Sequence, residues 1–128
     1  MAALDIRETE ITRDGFIILI KNINHFSLQL LRISRAHLHY QPTLTEGFNY
    51  TAYEVLASTY FPQMIQFNIY DSGLDERAAE ILSRWRVPNL RVLFIQSNPL
   101  GDRGVQLLAN RKNCPKLQYL NIRTHGLI

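Results

Sequence analysis

Leu90-Arg91-Val92-Leu93-Phe94-Ile95-Gln96-Ser97-Asn98-Pro99-Leu100-Gly101-Asp102-Arg103-Gly104-Val105-Gln106-Leu107-Leu108 decides the fold of this chain. Its first part carries large aliphatic residues at positions zero, three and five (Leu90, Leu93, Ile95). Residues two apart on an extended chain share a face, so Leu93 and Ile95 point one way and Val92, Phe94 and Gln96 the other; this is a short strand. After Leu100, at position ten, comes a polar, glycine-containing start and then Val105-Gln106-Leu107-Leu108-Ala109, apolar at helical spacing. Asp102 reads as the residue that caps this helix. The unit is strand, turn, helix.

Working outward, the same skeleton recurs. Apolar residues at zero, three, five and ten read Met1-Leu4-Ile6-Ile11, Leu28-Leu31-Ile33-Leu38, Met64-Phe67-Ile69-Leu74 and Leu117-Leu120-Ile122-Leu127, with steps of 27, 36, 26 and 27 residues between the five starts. A period in this range is the signature of a repeat architecture. Each unit also pairs a small residue with a large aliphatic one four positions later: Gly15/Leu19, Ala52/Leu56, Ala78/Leu82 and Gly104/Leu108. Small at one turn and large at the next lets a helix lie close to a strand.

Phe61-Pro62-Gln63-Met64, Val87-Pro88-Asn89-Leu90 and Cys114-Pro115-Lys116-Leu117 precede three of the strands. Proline lacks an amide donor and disfavours helix in the residue before it, so it ends the preceding helix and extends the approach to the strand. Strand, helix and return fit in about 27 residues. A helical crossover that short makes consecutive strands adjacent and parallel, in the right-handed sense. The expected fold is therefore α/β: a solenoid in which about five parallel strands line the concave side and four helices the convex side, with residues 1–128 forming one domain.

The stretch from Leu90 to Leu108 resembles a leucine-rich repeat of the ribonuclease-inhibitor type, and Cys114-Pro115-Lys116-Leu117 is similar to the cysteine-containing repeats of F-box receptor proteins. The fourth copy carries the likeness best; the others share its apolar skeleton. Where the family prefers an asparagine whose side chain bonds the turning backbone, the five copies have Thr9, Ala36, Ser72, Asn98 and His125. Thr and Ser make some of the same bonds, so a less regular curve is expected.

The pattern breaks once. Leu38 and Ala52 are fourteen residues apart where the equivalent step elsewhere is four, so about ten residues are inserted around 39–51. Tyr40, Phe48 and Tyr50 stand in this insertion. Long loops in compact domains are disproportionately functional, and aromatics anchor interfaces; equally, the segment reads as a loop folded over the helical layer, its aromatics covering local core. Asn49-Tyr50-Thr51 matches the glycosylation pattern, to which the absence of a secretory signal gives little weight. The first strand begins at Met1 and the chain stops at Ile128 without a closing helix. Uncapped ends lead us to expect docking against a second copy or a larger assembly, unless the chain is part of a longer solenoid.

Composition narrows the functional classes. Apolar residues make up 46% and charged residues 20%, with no low-complexity tract, as in a folded domain rather than a disordered one. The first eight residues mix acidic and basic side chains where a signal peptide needs an apolar centre, and the longest apolar run is Phe16 to Ile20, so a cytoplasmic protein without a membrane span is expected. Cys114 is the single cysteine, which excludes an internal disulfide framework. The net charge of +3 is mild, and Arg84, Arg86, Arg111, Lys112 and Lys116 fall at helix ends and return loops, on the solvated convex side.

No catalytic or metal constellation emerges. His37 and His39 lack further ligands at metal spacing; His25 and His125 are isolated. Gly101-Asp102-Arg103-Gly104 lacks the Gly-Lys-Ser/Thr ending of a phosphate loop. Cys114 has no histidine that the pattern places beside it, and Asp71, Asp75 and Glu76 read as turn and helix-start residues. A non-enzymatic chain without cofactor or metal is expected.

If positions zero, three and five face the core, positions two, four, six and seven line the concave face. Those columns are Ala3, Leu30, Gln66, Val92, Tyr119; Asp5, Arg32, Asn68, Phe94, Asn121; Arg7, Ser34, Tyr70, Gln96, Arg123; and Glu8, Arg35, Asp71, Ser97, Thr124. Arg32, Arg35, Tyr70, Phe94, Gln96, Tyr119 and Arg123 are the expected partner-binding residues, since Tyr and Arg dominate interface energy. A protein partner fits this face best; a terminal segment or second copy covering Leu30, Val92 and Phe94 is the plainer alternative. The F-box likeness implies the substrate-recognition subunit of a ubiquitin ligase, its adaptor contact on another chain. The basic balance admits a nucleic-acid adaptor, with Arg32, Arg35 and Arg123 on phosphates and Tyr70 and Phe94 under bases.

Overall fold

In the computed structural model, the described residues are 2–7, 11–34, 38, 49–109, 112 and 114–122. They form β1 (Ala2–Asp5), α1 (Arg13–Asn22), β2 (Leu28–Ser34), α2 (Thr51–Ser58), β3 (Gln66–Tyr70), α3 (Glu76–Leu82), β4 (Val92–Phe94), α4 (Gly101–Ala109) and β5 (Tyr119–Asn121). The five strands make one sheet in sequence order, every neighbouring pair parallel. Each helix packs on the next, α1 on α2, α2 on α3 and α3 on α4, and their buried residues share one hydrophobic cluster with those of the sheet.

The strand register aligns the apolar columns. Leu31, Phe67, Leu93 and Leu120 are successive partners across β2 to β5, and Ile33 pairs with Ile69. Leu31, Phe67, Ile33, Ile69, Leu38 and Leu74 are fully buried in one hydrophobic cluster with Leu93, Ile95 and Leu100. Burying such a side chain stabilises the fold by about 1.5–3 kcal/mol relative to leaving it in water. The column ends differ: Leu4 and Leu120, on the outermost strands, are only partly buried, because a neighbour covers them on one side.

Helix starts follow local chemistry. Thr12 caps α1 by accepting from the Gly15 N–H at 3.1 Å, and Asp75 caps α3 by accepting from the Ala78 N–H at 2.9 Å. Asp102 does not cap α4. That helix begins at Gly101, whose φ of +66° only glycine adopts without strain, so Asp102 already lies in the first turn, where its charge complements the exposed amides. At Gly104 a Cβ would lie 3.1 Å from Leu100 Cβ and 3.4 Å from Ala79 Cβ, so the small residue brings α4 close to both the preceding loop and α3.

The proline turns are closed in all three copies: the Met64, Leu90 and Leu117 N–H groups donate to the carbonyls of Phe61, Val87 and Cys114 at 3.3, 3.0 and 3.2 Å. These are β-turns with proline at the second position. One turn bonds the next: Asn89 Nδ2 donates to the Pro62 carbonyl at 2.6 Å, and Lys116 Nζ to Asn89 Oδ1 at 2.8 Å. At the other end of the strands Asp71 and Ser97 hold left-handed backbones, φ 47° and 57°, at equivalent places in β3 and β4 units.

Asn98 is the buried junction between those units. Its Oδ1 accepts from the Ser72 and Leu74 N–H groups, both at 3.0 Å, and its Nδ2 donates to the carbonyls of Ile69, Ile95 and Gln96 at 2.9–3.1 Å. Ser72, the equivalent residue one unit earlier, donates from its Oγ to the Tyr70 carbonyl at 3.0 Å. Thr9, Ala36 and His125 lie outside the described residues.

Trp85 locks the strand-start end. Its ring meets Phe67 and Phe61 edge-on, with centroids 4.9 and 5.5 Å away, and its Nε1 donates to the Thr59 carbonyl at 3.0 Å. The periodic skeleton assigns no place to this residue.

Candidate protein-interaction face

Period-two alternation puts the second set of strand residues on the face that, among the described residues, no helix covers. Adjacent strands stand about 4.8 Å apart, so equivalent side chains make rows across this open face. The clearest row runs Asp5, Arg32, Asn68, Phe94, Asn121, each the register partner of the next. Val92 and Tyr119 are partners in the row beside it.

The face divides by chemistry. Toward β4 and β5 it is aromatic: the Phe94 and Tyr119 rings lie 5.4 Å apart at 57°, Phe94 half-buried and Tyr119 52% exposed. Toward β1 and β2 it is charged. Arg7 grips Asp5 through Nε at 2.8 and 3.0 Å and Nη2 at 2.6 Å, and Arg32 Nη1 approaches Asp5 at 3.8 Å. Arg7's hydrogen bonds hold the Asp5 carboxyl below its ordinary pKa. Between the two zones, Gln66 Nε2 donates to Asn68 Oδ1 at 2.9 Å. Asp5, Arg7, Ser34 and Tyr70 line an open recess of about 690 Å³ at the strand ends.

Of the residues expected on this face, Arg32 and Gln96 are half-buried, and Tyr70 and Tyr119 are exposed. Arg35 and Arg123 lie outside the described residues, as do Glu8 and Thr124. Leu30 and Ser34 share the face yet are only 8% exposed. Asp5 and Arg7 belong to the charged zone although the sequence singled out neither. Their separation of two at the end of β1, with opposite charges, was the signal that could have found them.

In the insertion, Tyr40 and Phe48 lie outside the described residues. Tyr50 is half-buried against the core, and its hydroxyl donates to Asp75 Oδ2 at 2.6 Å, bracing the residue that caps α3. Burial, then the Asp75 carboxylate, raises its pKa to about 12. Tyr53, wholly buried on the next helix, is also raised, chiefly by burial, and its hydroxyl faces the Ser72 carbonyl at 3.5 Å.

Elsewhere the chemistry is sparse. Among the described residues no three His, Cys, Asp or Glu side chains are placed to share a metal ion, and no helix is long and apolar enough to cross a membrane. Cys114 borders an apolar cavity of about 30 Å³ beside Trp85 and Leu108. Arg84, Arg86, Lys112 and Lys116 are exposed and follow α3 and α4; Arg86 lies over the Tyr60 ring at 5.1 Å.

No protein-family model, curated protein or solved structure matches the chain.

Proposed function

We propose that this chain is a leucine-rich-repeat-type solenoid that binds a protein partner on the open face of its sheet and does no chemistry of its own. The strands order themselves as the units follow in sequence, and a junction such as Asn98 is what a stacked repeat requires. The observation that carries the binding role is the Phe94 and Tyr119 pair, the first half-buried and the second exposed, on a face otherwise edged by charge. Large aromatics exposed side by side cost solvation in isolation and become interface anchors when covered. Five strands span about 20 Å, enough for one side of a small interface. The reading places the chain in the cytoplasm, without cofactor.

The test is quantitative capture from cell lysate by wild type and by a Tyr70→Ala, Phe94→Ala, Tyr119→Ala triple variant. The reading expects partners held by the wild type to be lost from the variant while its circular dichroism is unchanged. Partners retained by the triple variant would move the binding site off this face.

A further inference from the structure

We propose that the open face selects an acidic peptide: a carboxylate side chain docks beside Arg32, and an apolar side chain three or four residues away docks on Phe94 and Tyr119. This rests on the protein-binding reading of the face and adds the chemistry and spacing of what it holds.

Charge comes first. Arg7 and Arg32 place two guanidiniums around one carboxylate, Asp5, and the pairing is unequal. Asp5 is taken up by Arg7 at 2.6–3.0 Å, whereas Arg32 approaches it only at 3.8 Å. Arg32 Nε is buried with no hydrogen-bond acceptor, so packing fixes the stem while the side chain remains 33% exposed. A guanidinium pre-positioned and under-satisfied is a ready partner for an oxyanion.

Spacing comes second. Arg32, Asn68 and Phe94 are successive register partners, and Tyr119 is one strand further, so the aromatic pair lies about 10–14 Å from Arg32. A polyproline-type peptide puts residues i and i+3 on one face about 9 Å apart, and a fully extended one puts i and i+4 on one face about 13 Å apart. Either conformation spans the two anchors when laid across the strands; adjacent residues do not. Asn68 lies under the middle of that path with Oδ1 held by Gln66, leaving its amide nitrogen to donate to a peptide carbonyl. A peptide is favoured over a nucleic acid because, among the described residues, the face gathers its cations at one unequal site rather than in a stripe that could follow successive phosphates.

The test is selection of a displayed random 12-residue peptide library on the whole chain at physiological salt, followed by titration of the synthetic consensus peptide. Enriched sequences should carry Asp or Glu three or four positions from an apolar residue. Changing that acidic residue to its amide, or Arg32→Gln in the protein, should each weaken binding about tenfold, and the two changes together should add little. Arg32→Lys should keep most of the affinity, and Asp5→Asn should tighten binding about threefold by removing a like charge roughly 5 Å from the docked carboxylate. Circular dichroism confirms that each variant is folded. Peptides without an acidic preference, held through Phe94 but insensitive to Arg32→Gln, would overturn the charge proposal and leave the binding face standing. Peptides insensitive to Phe94→Ala and Tyr119→Ala would sink both. Enrichment of no peptide, or displacement of the consensus peptide by a thymidine 20-mer, would also overturn the proposal.

Discussion

Asn98→Ala should be among the most damaging polar substitutions in this protein. The side chain is 2% exposed and serves five backbone groups in two consecutive units: the N–H of Ser72 and Leu74, and the carbonyls of Ile69, Ile95 and Gln96. Truncation leaves two buried donors without the acceptor they share. A buried polar group left unsatisfied costs about 1–3 kcal/mol, so the donors alone give about 2–5 kcal/mol after partial rescue by water. The carbonyls add less, since each accepts elsewhere more readily. Against a total stability of about 5–15 kcal/mol this is a large fraction. Ser72→Ala is the comparison: Ser72 is also buried, its hydroxyl donates to the Tyr70 carbonyl two residues back, and losing that bond should cost about 1 kcal/mol. Urea unfolding followed by fluorescence of Trp85, the single tryptophan, separates them. At a slope of about 2 kcal/mol per molar urea, Asn98→Ala should lower the midpoint by about 1–2.5 M and Ser72→Ala by about 0.5 M. Equal shifts, or a shift below 0.5 M for Asn98→Ala at unchanged slope, would refute the bridging role (roughly the 1 kcal/mol bound).

Other outcomes follow from the same geometry. Trp85→Phe keeps the apolar contacts with Phe61 and Phe67 but orphans the Thr59 carbonyl, and should cost about 1–2 kcal/mol by thermal unfolding, against about 3–5 for Trp85→Ala. Gly104→Val pushes bulk into a site where even a Cβ would stand 3.1 Å from Leu100, and should destabilise by about 1–3 kcal/mol in urea. Tyr50 ionises near 10 when unfolded and at about 12 when folded, so its contribution is complete below pH 10 and is lost as pH rises toward 12. Tyr50→Phe should therefore flatten the fall in melting temperature between pH 10 and 12, while the still deeper Tyr53 preserves part of it.

The parts of the fold that were legible are those the period controls. Leu31, Ile33, Phe67, Ile69, Leu93 and Ile95 had to face one way once alternation and step length were read, and the parallel register brings them together. Asp102 misled because a polar residue before an apolar run signals a cap, whereas the left-handed Gly101 had already turned the chain into the helix. Trp85 was illegible for a different reason: it sits in the return segment, where no periodicity operates, and only the tertiary meeting of Phe61 and Phe67 gives it a place. On the open face, the aromatic pair could be read from the columns, but the unequal sharing of Asp5 between Arg7 and Arg32 depends on side-chain geometry that spacing does not encode. Tyr50 shows the same limit, since its bond to Asp75 joins residues 25 apart.

The central claim, that the sheet face without helices is the binding surface, is tested most directly by site-specific photocrosslinking. A benzophenone side chain at Tyr119 on the open face and another at Ile18, 64% exposed on α1, sample the two sides of the molecule. Adducts formed in lysate at position 119 and not at 18 are the predicted result. Adducts at 18 with none at 119 would contradict the account.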